Sequence, residues 1–200
     1  MSHDSTPEER TEALEHHLEE HGHVHHDDVD AAVVAREMAL ESGDGPSPAL
    51  GAQIVARAWT DPEFKARLVD DGTATLAEYT QMTVPVTVME NRPDVHHMIV
   101  CTLCSCYPGA VLGDPPAWYK SFEYRSRVVR EPRAVLAEFG MELGDDVEVR
   151  VVDSTSEQRF MVLPVRPEGT EGWAPDELAA LVTRNSMIGT GAPIRPTAPV

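Results

Sequence analysis

Three thiols stand within six residues in the stretch Val100–Tyr107, VCTLCSCY: Cys101, Cys104 and Cys106, and the chain has no other cysteine. A Cys-x-x-Cys-x-Cys run can gather its sulfurs round one ion only where the backbone turns tightly. Ser105, between two cysteines, puts its own amide and that of Cys106 near the same point. A closed zinc site normally wants four ligands, with a second pair further along the chain. No second pair follows here. His96 or His97 is available as a fourth ligand, but a β-type run sends adjacent side chains to opposite faces. Iron–sulfur clusters usually take four cysteines, and a thioredoxin-like dithiol would use Cys101 and Cys104 and leave Cys106 idle. Three thiolates and two deprotonated backbone amides satisfy the count round a trivalent ion and leave one position open for substrate. Anionic donors favour a high oxidation state, and an open position makes the ion a Lewis acid. Spacing alone leaves this arrangement level with a zinc site or a redox site.

The elements around that stretch read as an α+β protein, with a helical N-terminal arm followed by a compact layered α/β domain that carries the cysteine claw. Residues 1–29 form a mobile arm rich in histidine and acid, with seven of the nine histidines between His3 and His26. Leu14 and Leu18 are its only spaced apolar residues, so a short helix there would have little to bury. Clustered imidazoles also make the arm a candidate weak collector of divalent transition metals. Residues 30–72 read as helical: Asp30–Ser42 with Gly43 as C-cap, then Ala49–Trp59, then a helix starting at Thr60-Asp61-Pro62-Glu63. There Thr60 is the expected N-cap, Glu63 its capping-box partner and Pro62 in the first turn. That helix should reach about Val69 and stop near Gly72. Residues 73–190 form the metal-binding domain. TVPVTVME and DVHHMIVC read as short strands, Pro132–Phe139 as a helix, Asp146–Val152 as a half-buried strand and Arg159–Val165 as its hairpin partner. Pro175–Arg184 reads as a closing helix, and residues 191–200 as a flexible tail.

A formal net charge of −18 disfavours non-specific contact with nucleic acid or anionic membrane. No apolar run approaches the ~20 residues of a membrane helix, and the polar, acidic N-terminus is no secretory signal. The expected location is the cytoplasm, where clustered cysteines read as metal-binding or redox-active. Arg125, Arg127, Arg130 and Arg133 crowd into YRSRVVREPR and would pair internal carboxylates or face a partner. Trp59, Trp118 and Trp173 read as core or interface anchors. His96 and His97 would pack or hydrogen-bond beside the metal loop.

VCTLCSCY resembles the metal-binding segment of the nitrile hydratase α subunit and the related subunit of thiocyanate hydrolase. ARAWTDPEFKARLVDDGT, VHHMIVCTLCSCYPGAVLGDPPAWYKSFEYRSRVVREPRAVLAEFG, DSTSEQRFMVLPVRPEGTEGW and LVTRNSMIG extend the resemblance over roughly Leu50 to Gly189. It implies Cys101, Cys104 and Cys106 as sulfur ligands, and Ser105 and Cys106 as donors of backbone amide nitrogen. Cys104 would become a sulfinic acid and Cys106 a sulfenic acid, with Cys106, Cys104 and Ser105 carrying the catalysis. Thr102 follows the family's cobalt members, which implies non-corrin Co(III) ahead of Fe(III). Asp153, Glu157 and Arg159 match residues that support the claw, and Gln81 matches a glutamine lining the site. Gly109-Ala110 departs from the bulky residue and proline found in many members, which bears on substrate rather than metal.

The resemblance thus implies an α subunit that hydrates a nitrile to the amide and needs a β subunit, as αβ or (αβ)2. It also implies a cobalt activator protein during maturation. Metal-activated water and the sulfenate oxygen of Cys106 both stand as the attacking group. The alternatives are the metal-bearing subunit of a thiocyanate hydrolase, a non-enzymatic cysteine-based metal or redox module, and a zinc-stabilised binding domain.

Overall fold

The computed structural model describes residues 6–23, 25 and 47–196, so the helix expected over Asp30–Ser42 and the last residues of the expected tail lie outside it. The chain divides into two compact units, one up to residue 45 and one from residue 46. In the first, Pro7–Glu20 forms helix α1. Thr6 begins it by accepting from Glu9 N at 3.2 Å, while the Glu9 carboxylate accepts from Thr6 N at 2.7 Å. This reciprocal box satisfies two amides that a helix start otherwise leaves unpaired. None of the described α1 side chains is buried, and the bonds that start the helix are local.

In the second unit, Pro48–Thr60 (α2), Pro62–Asp70 (α3) and Gly72–Leu76 (α4) precede strands Val86–Glu90 (β1) and Val95–Val100 (β2). After the cysteines come Gly109–Leu112 (α5), Ala117–Lys120 (α6), Phe122–Arg127 (α7) and Pro132–Glu138 (α8). Strands Glu148–Asp153 (β3) and Arg159–Leu163 (β4) follow, then Pro175–Ala179 (α9) and Arg184–Ile188 (α10).

Two helix boundaries differ from expectation. Thr60 does not cap α3; it is the last residue of α2, its hydroxyl bonded back to Ala56 O at 3.1 Å. The cap is Asp61, which accepts from Phe64 N at 2.9 Å. A residue before proline is driven out of the helical region, and Asp61, at φ −121° and ψ 97°, is the residue so driven. The closing helix also breaks in two, because Thr183 and Ser186 form a fresh capping box that starts α10.

The strand pairing differs more. β3 and β4 are not a hairpin: β2 pairs with β3, and β1 with β4, both in parallel. Alternation of side chains marks which face is buried but not which strand lies alongside. β2 is buried at every position, the pattern of a strand covered on both faces. Its two polar residues are therefore matched internally. His96 Nε2 lies 2.7 Å from Gly189 O, and His97 Nδ1 lies 3.1 Å from Asn91 Oδ1, which also accepts from His97 N. Gly189 has φ +86°, and a Cβ there would sit 1.9 Å from His97 O, so only glycine allows this approach.

One continuous core, including Ile54, Phe64, Leu68, Met98, Ile99, Leu112, Leu136 and Met161, joins α2 and α3 to the strands. Behind the cysteines, Trp118 meets Phe139 and Tyr124 edge to face at 4.7 and 4.9 Å.

Candidate metal centre

Cys101 directly follows the last residue of β2, and the parallel register sets Val100 beside Asp153 at the end of β3. The two strand ends therefore deliver the cysteine loop and a carboxylate to the same place, and Ser154 N extends the pairing by donating to Val100 O at 2.6 Å. Asp153 grips the loop twice. Its Oδ1 accepts from Thr102 N at 2.9 Å and its Oδ2 from the Thr102 hydroxyl at 2.5 Å.

With its start so pinned, the loop curls. Cys104 N donates to Cys101 Sγ at 3.2 Å. The Cys101 and Cys104 sulfurs are 3.5 Å apart and those of Cys104 and Cys106 are 3.3 Å apart. All three sulfur atoms lie within 4.8 Å of one another, the one such group of metal-type ligands among the described residues. Cys101 and Cys106 are buried and Cys104 is exposed, so the trio has a closed side and an open one. Ser105, half-buried, stands between the last two sulfurs.

The loop's far end is held from behind. Tyr119 donates from its hydroxyl to Cys106 O at 2.9 Å, and Tyr124 to Ile99 O at 2.7 Å. Arg125 reaches Thr102 O at 3.4 Å. The two tyrosines carry no signal in the sequence that ties them to the cysteines; only the packing of α6 and α7 against β2 reveals them.

The Cys104 and Cys106 thiol pKa values are shifted in opposite directions. Hydrogen bonds from Cys106 and Cys101, then the Ser105 amide, draw Cys104 down to about 7. Burial, followed by the neighbouring sulfurs, pushes Cys106 up, and the charge of Arg159 opposes that push. A nucleophilic or metal-ligating cysteine acts as the thiolate.

Of the supporting residues expected from the sequence, Asp153 binds the loop and Arg159 acts on Cys106. Arg159 is the first residue of β4, its amide donating to Pro85 O at 2.8 Å, and its Nη1 is buried without a hydrogen-bond partner in this chain. Glu157 is exposed in the turn between β3 and β4, its amide 3.3 Å from Thr155 Oγ1. Gln81 is exposed beyond α4 and lines a hollow with Asp71, Thr73 and Glu78 that no thiol borders. The arginine run is partnered within this chain. Arg127 pairs with Glu123, Glu131 and Glu138, and Arg133 with the carbonyls of Leu143, Gly144 and Val147.

The donor set suits a transition ion: three convergent sulfurs, with the Ser105 and Cys106 amides between and beside them. A family model for the nitrile hydratase alpha chain matches residues 5–191. The cobalt-containing nitrile hydratase subunit alpha of Pseudonocardia thermophila is 57% identical over 146 residues, covering 71% of this chain and 72% of that one. The thiocyanate hydrolase subunit gamma of Thiobacillus thioparus is 46% identical over 163 residues, covering 74% and 66%. Among solved structures, a double mutant of the Fe-type nitrile hydratase from Comamonas testosteroni Ni1 superposes with a TM-score of 0.84 at 38% identity, covering 100% of this chain and 98% of that one.

Proposed function

The chain belongs to the nitrile hydratase alpha-chain family, and from that premise we propose that its cysteine claw hydrates nitriles to amides as the cobalt-bearing subunit of a two-subunit enzyme. The observation that carries this reading is the convergence of three sulfurs within 4.8 Å at the end of β2. Cys101, Cys104 and Cys106 hold the metal through sulfur, with the Ser105 and Cys106 amides as nitrogen donors. When bound, cobalt supplies a Lewis acid at a position open to substrate.

The chain's own groups do the rest. Asp153 ties Thr102 by two bonds and so fixes the direction in which the loop starts. Tyr119 fixes the carbonyl of Cys106 and so its backbone plane. Arg159 has a buried Nη1 with no hydrogen-bond partner in this chain, and its charge acts on Cys106. A sulfenate on Cys106 would lie within the influence of that charge, and the sulfenic state of Cys106 and sulfinic state of Cys104 are carried over from the family.

Cys104 and its neighbour Leu103, 88% exposed, stand at the surface of this chain. An α subunit of this family works with a β subunit, and a claw whose central thiol, Cys104, is exposed supports a site completed by that partner. An activator protein loads cobalt before the complex closes. No helix among the described residues is long and apolar enough to cross a membrane, and the cytoplasm is the proposed location.

Relatedness to the thiocyanate hydrolase subunit gamma sustains a second reading, in which the same claw hydrolyses thiocyanate. The co-expressed complex, assayed with a simple nitrile and with thiocyanate, separates them. Amide formation without carbonyl sulfide release is expected. Carbonyl sulfide and ammonia from thiocyanate, with no amide from nitriles, would reverse the assignment.

A further inference from the structure

We propose a second metal site in this chain, chemically distinct from the claw: His17 and His21 on α1 form a chelate for a divalent first-row transition ion. Residues four apart on a helix share a face one turn apart. Here the two rings lie with centroids 4.2 Å apart and planes at 47°. His21 Nδ1 is 2.7 Å from His17 O. A carbonyl oxygen only accepts, so Nδ1 carries the proton and Nε2 keeps its lone pair for a metal. Metal-ligating imidazoles are commonly oriented in this way, by the other ring nitrogen donating to a carbonyl.

Both rings are exposed, so an ion reaches them without any opening of the fold. The neighbouring groups define the site's limits. His16 faces Glu20, with Nε2 and Oε1 3.3 Å apart. The His23 ring lies flat against His21 at 6.4 Å with planes at 8°, a stacked rather than converging arrangement. Among the described residues the chelate therefore has two protein ligands, His17 and His21, with the remaining positions left to water. Two imidazoles select by ligand type: copper(II) and nickel(II) bind ahead of cobalt(II), while magnesium and calcium, which prefer oxygen, do not compete.

The test uses the full-length chain in its cobalt-loaded complex with the β subunit, dialysed against low nickel(II), with nickel and cobalt counted per α chain. Nickel is expected in addition to the claw's cobalt. In the His17→Ala/His21→Ala variant nickel affinity should fall by at least about tenfold, the loss of chelation, with cobalt content and turnover unchanged. A second variant separates geometry from composition. His17→Ala with Leu14→His keeps the number of imidazoles but leaves His21 without an imidazole one turn before it, and it should bind as weakly as the double variant. Native-like nickel affinity in either variant, or no nickel uptake by the native complex, would overturn the proposal.

Discussion

The loop Cys101–Cys106 and the arm Thr6–His25 are both short and both dense in metal-binding side chains. The loop is held by residues far along the chain: Asp153, 51 positions from Thr102, and Tyr119, 13 positions from Cys106. It also grows from a strand buried at every position. The hydrogen bonds that shape α1 join near neighbours, Thr6 with Glu9 and His21 with His17, and its described side chains are not buried. Ligand density is therefore not what separates them. Long-range bonds set the geometry before an ion arrives, and such preorganisation favours one ion in one state. A locally held helix selects by ligand type alone, taking any divalent transition ion that accepts imidazole nitrogen.

The sharpest way to break this contrast is Cys104→Ala. It removes the sulfur that touches both others, at 3.5 and 3.3 Å, and should abolish cobalt retention and amide formation together. Near-normal cobalt by elemental analysis would show that the claw does not need its central thiol.

Asp153→Ala comes next. It leaves every ligand in place but frees Thr102 N and Oγ1, and loss of such supporting contacts costs about 10–100-fold in metal affinity or activity. Asp153→Asn keeps an acceptor for one bond and should recover part of the loss in kcat. Equal kinetics in all three proteins would show that the loop holds its shape unaided.

Acid titration probes the buried strand behind the claw. Burial holds the imidazoles of His96 and His97 below their ordinary pKa. The unfolded chain takes up protons that the folded chain refuses, so stability is full above the unfolded value of ~6.5 and falls as pH drops through it. The slope is at most about 1.4 kcal/mol per pH unit for each histidine. Urea midpoints between pH 7.5 and 5 check it; a flat profile would place the histidines in a solvated setting.

Thr6→Ala should have the smallest effect. It removes the capping box of α1 at a cost of about 1 kcal/mol, confined to that helix. Circular dichroism should report a small loss of helix, with the Tm of the second unit and turnover unchanged. A lower Tm for the second unit would show that the arm contributes to its stability.

How much of this was legible depended on the range of the interaction. The thiol cluster is readable because its members sit within six residues, but that spacing leaves a trivalent claw level with a zinc or redox site, and the family resemblance decides for the claw. β1 and β2 were readable as strands from their composition. Their partners were not, since the alternation of Asp146–Val152 and Arg159–Val165 fits a hairpin as well as two separate parallel pairings. Thr60 and Asp61 are both good caps, and only the proline's effect on the residue before it decides for Asp61. Asp153 was identified through a resemblance, while its grip on Thr102 follows from the β2–β3 register. Tyr119 and Tyr124 were invisible because nothing local links an aromatic in α6 or α7 to a carbonyl on β2 or in the loop.

The central claim is that the loop wraps a cobalt ion in sulfur and amide nitrogen within a two-subunit enzyme. It is tested most directly by elemental analysis of the co-purified complex, coupled to mass spectrometry of the Cys101–Cys106 peptide. Cobalt at about one ion per α chain, with two added oxygens on Cys104 and a labile one on Cys106, is the expected result. Zinc alone, bound by three unmodified thiols in an active complex, would contradict it.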